Sequence, residues 1–222
     1  MKPSPYLLKV TLAKTPKLIW RRFVVPSDTR LDRLHEILQT VMGWTEPRPH
    51  AFFLKKQGFY PDGQIPDGGL PEKKYTLANL VVRSGGKLKY IHDTAEENWV
   101  HEIVVENIRF SDPAWPFPIC CIDGVRACPP MNVGGINGFT HLLRVLDSKV
   151  EDEELKSRFA DFQPDHFALE NVNRSFGVDG PRHVVQKAFE PPKPKRPTAS
   201  QKNDPFYRLG QKLKRLSQSD IE

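Results

Sequence analysis

Four prolines fall within seven residues at Pro191-Pro192-Lys193-Pro194-Lys195-Arg196-Pro197, and this run constrains the chain more than any other feature. Each proline fixes φ and removes an N–H donor, so the segment suits neither a helix nor a sheet interior and reads as an extended spacer. It divides the 222 residues into a body, 1–180, and a Pro-rich basic flexible tail, 181–222. Charge divides in the same place. From Lys187 to Glu222 nine basic side chains stand against four acidic ones, which accounts for five of the net +6 charges and leaves the preceding residues nearly neutral.

Within the tail, Phe206, Leu209, Leu213 and Leu216 recur at helical spacing, with basic side chains mostly on the opposite face. Lys193, Lys195, Arg196, Arg208, Lys212, Lys214 and Arg215 are the expected contacts to DNA or, failing that, to an acidic protein. A solvated tail that only aids solubility accounts for the same residues, and Gly210 weakens the helix. No apolar run approaches the roughly 18 residues of a membrane span, so no membrane partner is expected. Met1-Lys2-Pro3-Ser4-Pro5 lacks the apolar stretch of a signal peptide, and a cytoplasmic protein is the expectation. Nothing in the residues indicates an oligomeric state.

The three cysteines, Cys120, Cys121 and Cys128, lie in one short segment rather than spread as a disulfide framework would be. Reduced structural thiols are expected. Adjacent cysteines rarely share one zinc ion, and no cofactor motif is present.

Alternation at Tyr6–Leu12 and Leu18–Val25 predicts a hairpin. After Pro26, Ser27-Asp28-Thr29 offers a cap, and Leu31, Leu34, Ile37, Leu38 and Val41 mark an apolar helical face ending near Gly43. His50–Lys55 resumes strand character, and 60–74 reads as an irregular loop. A short helix or turn is expected over 75–82. Lys87–His92 and Trp99–Phe110 read as paired strands, with Val100, Ile103 and Val105 or their neighbours facing a core. Residues 111–138 read as a structured loop, and 139–146, 151–159 and 166–176 as helices. The fold expected is α+β, a mixed, mainly antiparallel sheet packed against several helices.

Several segments, in order, resemble the plasmid pRiA open-reading-frame-3-like family. They are Ile19-Trp20-Arg21-Arg22, the helix Leu31–Gln39 running into Met42-Gly43-Trp44, His50-Ala51-Phe52, the stretch Tyr90–His101, and the loop from Gly124 through Cys128-Pro129-Pro130 to Gly135. The likeness extends roughly from Tyr6 to Phe176. It implies a compact α+β domain of unassigned activity and an association with mobile elements. The family's Asp, Gly, Asp, Trp, His pattern is met here by Asp93, Trp99 and His101, with one extra residue and Ala95 where glycine would stand. Met131-Asn132 replaces an acidic pair, and neither side chain can supply a negative charge.

The candidate pocket comprises His50, Asp93, Trp99, His101, Asp123, Cys128 and Asn132. Imidazole plus carboxylate suffices for metal-assisted or acid/base hydrolysis, and a divalent metal enters the expectation only there. Alternatively, the histidines tie down neighbouring loops. Trp20, Trp44 and Trp99 read as packing residues rather than a base-stacking platform. Pro129-Pro130 followed by Gly134-Gly135 shapes a turn whose amides could cradle an anion. Cys128 becomes a nucleophile only beside a base or cation, for which Arg126 is the candidate. The reading that follows is a non-enzymatic interaction module with a nucleic-acid-contacting tail. Its rival is a metal-dependent hydrolase using the His/Asp cluster.

Overall fold

In the computed structural model, which describes residues 3–110 and 118–178, the N-terminal alternation becomes a hairpin. Strands β1 (Pro5–Leu12) and β2 (Ile19–Pro26) pair antiparallel, from Pro5 opposite Pro26 to Leu12 opposite Ile19. The tail residues expected to contact nucleic acid, Lys193 to Arg215, lie outside the described residues.

The other strands are β3 (His50–Leu54), β4 (Gln57–Tyr60), β5 (Leu70–Pro71), β6 (Lys87–His92), β7 (Trp99–Asn107) and β8 (Cys120–Val125). Together they form one eight-stranded sheet in the order β5-β4-β3-β6-β7-β1-β2-β8. Only the β4–β5 pair is parallel. The helices are α1 (Leu31–Met42), α2 (Leu77–Leu80), α3 (Gly135–Leu146), α4 (Glu153–Arg158) and α5 (Leu169–Ser175). The architecture is α+β, as expected.

Strand periodicity sends alternate side chains to opposite faces. On the inner face Leu8, Val10, Phe23, Phe52 and Ile103 meet Leu34 and Leu38 of α1 and Phe139 and Leu142 of α3 in one continuous core. Each such side chain contributes roughly 1.5–3 kcal/mol by leaving water. Helix α1 ends where glycine allows it, at Gly43 with φ 88°, whose N–H donates to the Gln39 carbonyl.

Four details depart from the sequence reading. Ser27-Asp28-Thr29 does not cap α1. The cap is Arg30, with no side-chain bond, because the carbonyls of Ser27 and Thr29 accept from Ala78 and Leu77, and the Leu31 amide donates to the Tyr75 carbonyl. The expected loop over 60–74 contains β5 and a 3-10 turn at Glu72–Lys74. The loop expected over 111–138 contains β8. Its Cys120, Cys121 and Ile122 are buried consecutively at a bulge in β8, where Arg22 pairs with Asp123 and Phe23 with Cys121 and Ile122 is left over, so no alternation marks it as a strand. Finally, Val100 faces away from the core, and Trp99, His101, Ile103 and Val105 face in.

Candidate functional site

Antiparallel register sets the polar residues of the inner face side by side. His50 lies opposite His92, Tyr90 opposite His101, and His92 opposite Trp99. Helix α1 passes over them with His35 and Gln39 one turn apart, on the same side of the helix. The His35 and His50 rings stack with centroids 3.5 Å apart and planes 2° from parallel. Tyr90 Oη and His35 Nδ1 are 2.8 Å apart. The Gln39 amide donates to Tyr90 Oη at 2.8 Å and meets His92 Nδ1 at 3.2 Å. His50 Nε2 lies 2.9 Å from the Glu72 carboxylate, both residues being buried. Trp44 stacks on His92 at 4.5 Å and meets His101 edge-on at 5.2 Å.

Burial decides the charge state of this cluster. It holds His35 down to about 3, helped by repulsion from His50 and His92, and His101 to about 3, helped by His92. His92 falls to about 4 for the same first reason, with Asp93 opposing. The Tyr90 phenol is pushed up. These three imidazoles are therefore neutral near pH 7. Because His92 Nδ1 accepts from Gln39, its proton sits on Nε2. That atom, both nitrogens of His101 and Gln39 Oε1 are buried without a hydrogen-bond partner.

The structure brings together His50, His101 and Trp99 of the sequence-derived pocket and separates the rest. The Asp93 carboxylate accepts from the amides of Glu96 and Glu97, both at 3.2 Å, and closes its own turn. Asp123 lies on edge strand β8, with β2 and β1 between it and β7, and accepts from the Gly124 amide. Asn132 accepts from Arg48 at 2.7 Å on the surface. Among the described residues no three His, Cys, Asp or Glu side chains are grouped so as to hold a metal ion.

Cys128 lines a separate groove of about 420 Å³ with Trp44, Met42, Met131, Phe162 and Phe167. Its base is Arg21, 1% exposed. Arg21 donates Nε to the Val41 carbonyl, Nη1 to those of Trp20 and Val125, and Nη2 to that of Arg126 and to Cys128 Sγ. Phe167 covers the guanidinium at 3.8 Å. Gly124 permits that approach, since a Cβ there would stand 2.5 Å from the Phe167 ring. The cation beside Cys128 is thus Arg21. Arg126, expected in that role, donates instead to Asp165 and to the Leu18 carbonyl. Burial still raises the Cys128 thiol to about 11, against the pull of Arg21, and Cys120 to about 12. All three cysteines are free, buried thiols.

The turn before α3, read as a shaped turn whose amides could cradle an anion, is filled from within. Glu97 accepts from the amides of Gly134 at 2.8 Å, Gly135 at 3.0 Å and Asn132 at 3.3 Å, and from Trp99 Nε1 at 3.1 Å. A carboxylate there satisfies amides at the helix start and favours its dipole.

Sequence reasoning missed His35, Gln39, Glu72, Tyr90, His92, Arg21 and Glu97. For Tyr90 and His92 a signal existed, since both share the strand face of Leu88.

An α+β sheet with its helices on one side, a buried imidazole cluster beneath α1 and an internally capped Gly-Gly turn define a class of domain rather than a reaction. This chain belongs to the plasmid pRiA4b ORF-3-like protein family, whose model matches residues 4–174. It is similar to the uncharacterized protein y4hQ of Sinorhizobium fredii, with 35% identity over 148 residues, covering 66% of this chain and 75% of the relative. Its fold is also similar to the crystal structure of the protein of unknown function MM3350 from Methanosarcina mazei Go1. That likeness has a TM-score of 0.68 and 25% identity, and covers 77% of this chain and 98% of the other. No described helix is long and apolar enough to cross a membrane.

Proposed function

We propose that this chain is a non-enzymatic interaction module of a plasmid-associated family, whose basic tail contacts nucleic acid. One observation carries the non-enzymatic part: three imidazoles, three thiols and two carboxylates of the body are held in inert forms. His35, His92 and His101 are neutral, the first half-buried and the other two buried, and the thiols of Cys120, Cys121 and Cys128 are raised by burial. The Asp93 and Glu97 carboxylates are occupied by backbone amides. Support for the tail's role comes from its surplus of cations, five of the net +6. An acidic protein is the alternative partner for the same charges.

The test is a salt titration of duplex DNA binding by the full chain and by a variant carrying glutamine at Lys193, Lys195, Arg196, Arg208, Lys212, Lys214 and Arg215. Each lost phosphate contact lowers the slope of log affinity against log salt by about 0.9. Equal affinity and slope in the two proteins would remove the tail from the binding surface.

A further inference from the structure

Helices α1, α3 and α5 pack on the inner face of the sheet. On the other face Leu7, Val24 and Ala51 are buried, and between them the side chains of β2, β1, β7, β6 and β3 reach the surface. Trp20 stands there, apart from the buried Trp44 and Trp99, with Lys9 Nζ 4.8 Å and the Arg22 guanidinium 5.3 Å from its ring. At the opposite flank Lys89 Nζ lies 4.4 Å from the Phe53 ring, which Tyr60 meets edge-on at 6.0 Å. Register fixes both groupings, since Lys9 pairs with Arg22 and Lys89 with Phe53. Lys87 adds a further exposed cation. The face's acids among the described residues are Glu106, bonded to Arg22 at 2.7 Å, Asp123, opposite Arg22 on β8, and Glu102 between the flanks.

We propose that this face binds single-stranded nucleic acid. Unpaired bases present a π-face beside each phosphate, and this surface presents a ring beside a cation, twice. Trp20 and Phe53 are four strand steps apart, roughly 19 Å at about 4.8 Å per step, so two separated bases stack while the chain between them crosses β1, β7 and β6. A stacking base turns Lys9 and Lys89 aside towards the adjoining phosphates. Glu102 keeps those phosphates to the flanks. A duplex keeps its base faces covered and can use only the cations. The row of residues joining the two rings across the sheet is Thr11, Glu102 and Lys89, polar throughout. The site lies on the body and does not depend on the tail contact proposed above.

The experiment compares a labelled single-stranded oligothymidylate with a duplex of equal length, using the full chain and its Trp20→Leu, Phe53→Leu and Lys89→Glu variants. The parent should prefer the single strand. Trp20→Leu or Phe53→Leu should weaken single-strand binding by roughly 5- to 150-fold, with duplex binding little changed. Lys89→Glu reverses an exposed charge opposite Glu102 and should weaken binding in a protein that still melts cooperatively, at a slightly lower midpoint. Equal affinity for single strand and duplex, or single-strand affinity unchanged in all three variants, would overturn the proposal. Should the glutamine-tail variant lose both nucleic acids while the face variants lose neither, the tail contact stands and the face does not.

Discussion

Two buried polar clusters share the inner face of the sheet, and they solve burial in opposite ways. Under β2 and β8, Arg21 keeps its charge, and four carbonyls and a thiol sulfur take its donors. Under α1, His35, His92 and His101 give up charge, and four of the cluster's polar atoms go without partners. Arginine cannot shed its proton in a protein, so its site must be complete. Imidazole can, so its site tolerates gaps, at a cost of about 1–3 kcal/mol for each unsatisfied group.

The largest effect should come from breaking the complete site. Arg21→Met removes the donors from the carbonyls of Trp20, Val41, Val125 and Arg126 and leaves them buried. A loss of about 3–5 kcal/mol is expected by urea denaturation. Arg21→Lys retains the charge but cannot reproduce a planar fork, and should recover less than half of it. If Arg21→Met proves as stable as the parent, completeness is not what holds that site.

The two clusters also differ in how far they could be read from residues alone. Alternation and helical spacing gave the β1–β2 hairpin, α1 and the β6–β7 pair, because each buries mainly one face, Leu7 and Val24 being the exceptions on the hairpin. Strand β8 escaped because consecutive burial of Cys120, Cys121 and Ile122 erases the period. His50 and His101 were legible as polar residues on strands that bury the same face. His35 and Gln39 were not, since they flank the apolar stripe of α1 and read as its solvent side. Arg21 passed as half of a basic pair because its partners are carbonyls, which have no letter in a sequence. Glu97 could not be matched to the Gly134 and Gly135 amides because only the β6–β7 turn brings them together.

Next in size is the acid response of the incomplete cluster. The folded values of His35, His92 and His101, about 3, 4 and 3, lie below the ordinary 6.5. Protons therefore bind the unfolded chain more readily. The stabilisation is fully present above about pH 6.5, declines as pH falls below it, and is lost as pH passes the folded values near 3–4. For His101 alone the full span is about 5 kcal/mol, of which about 2 kcal/mol falls between pH 7 and pH 5. His101→Phe should flatten that decline and, by removing two unsatisfied nitrogens, raise stability at pH 7 by about 1–2 kcal/mol. Denaturation midpoints at pH 7 and pH 5 measure both. An unchanged pH dependence would mean that water already fills the gaps.

A smaller, fully partnered site lies at the sheet edge. Asn173, 4% exposed, accepts from the Cys121 amide and donates to its carbonyl, both at 2.8 Å. Through that one side chain α5 closes the edge of β8. Asn173→Leu should cost about 2 kcal/mol by leaving both strand groups unpaired. It should also speed amide exchange at Cys121, whereas a purely packing role would leave that amide protected.

The smallest effect tests whether completeness matters outside the core. Arg48 bonds Glu46, Glu96 and Asn132. Its network is as well partnered as that of Arg21, but water competes for every bond and salt screens the charges. Arg48→Gln should leave the melting midpoint within error of the parent at moderate salt, while Arg21→Met lowers it steeply. Comparable losses in the two variants would show that the hydrogen bonds themselves carry the stability. A loss confined to Arg21 assigns it to the cost of leaving carbonyls dry and unpaired, which is the distinction between the two clusters beneath the sheet.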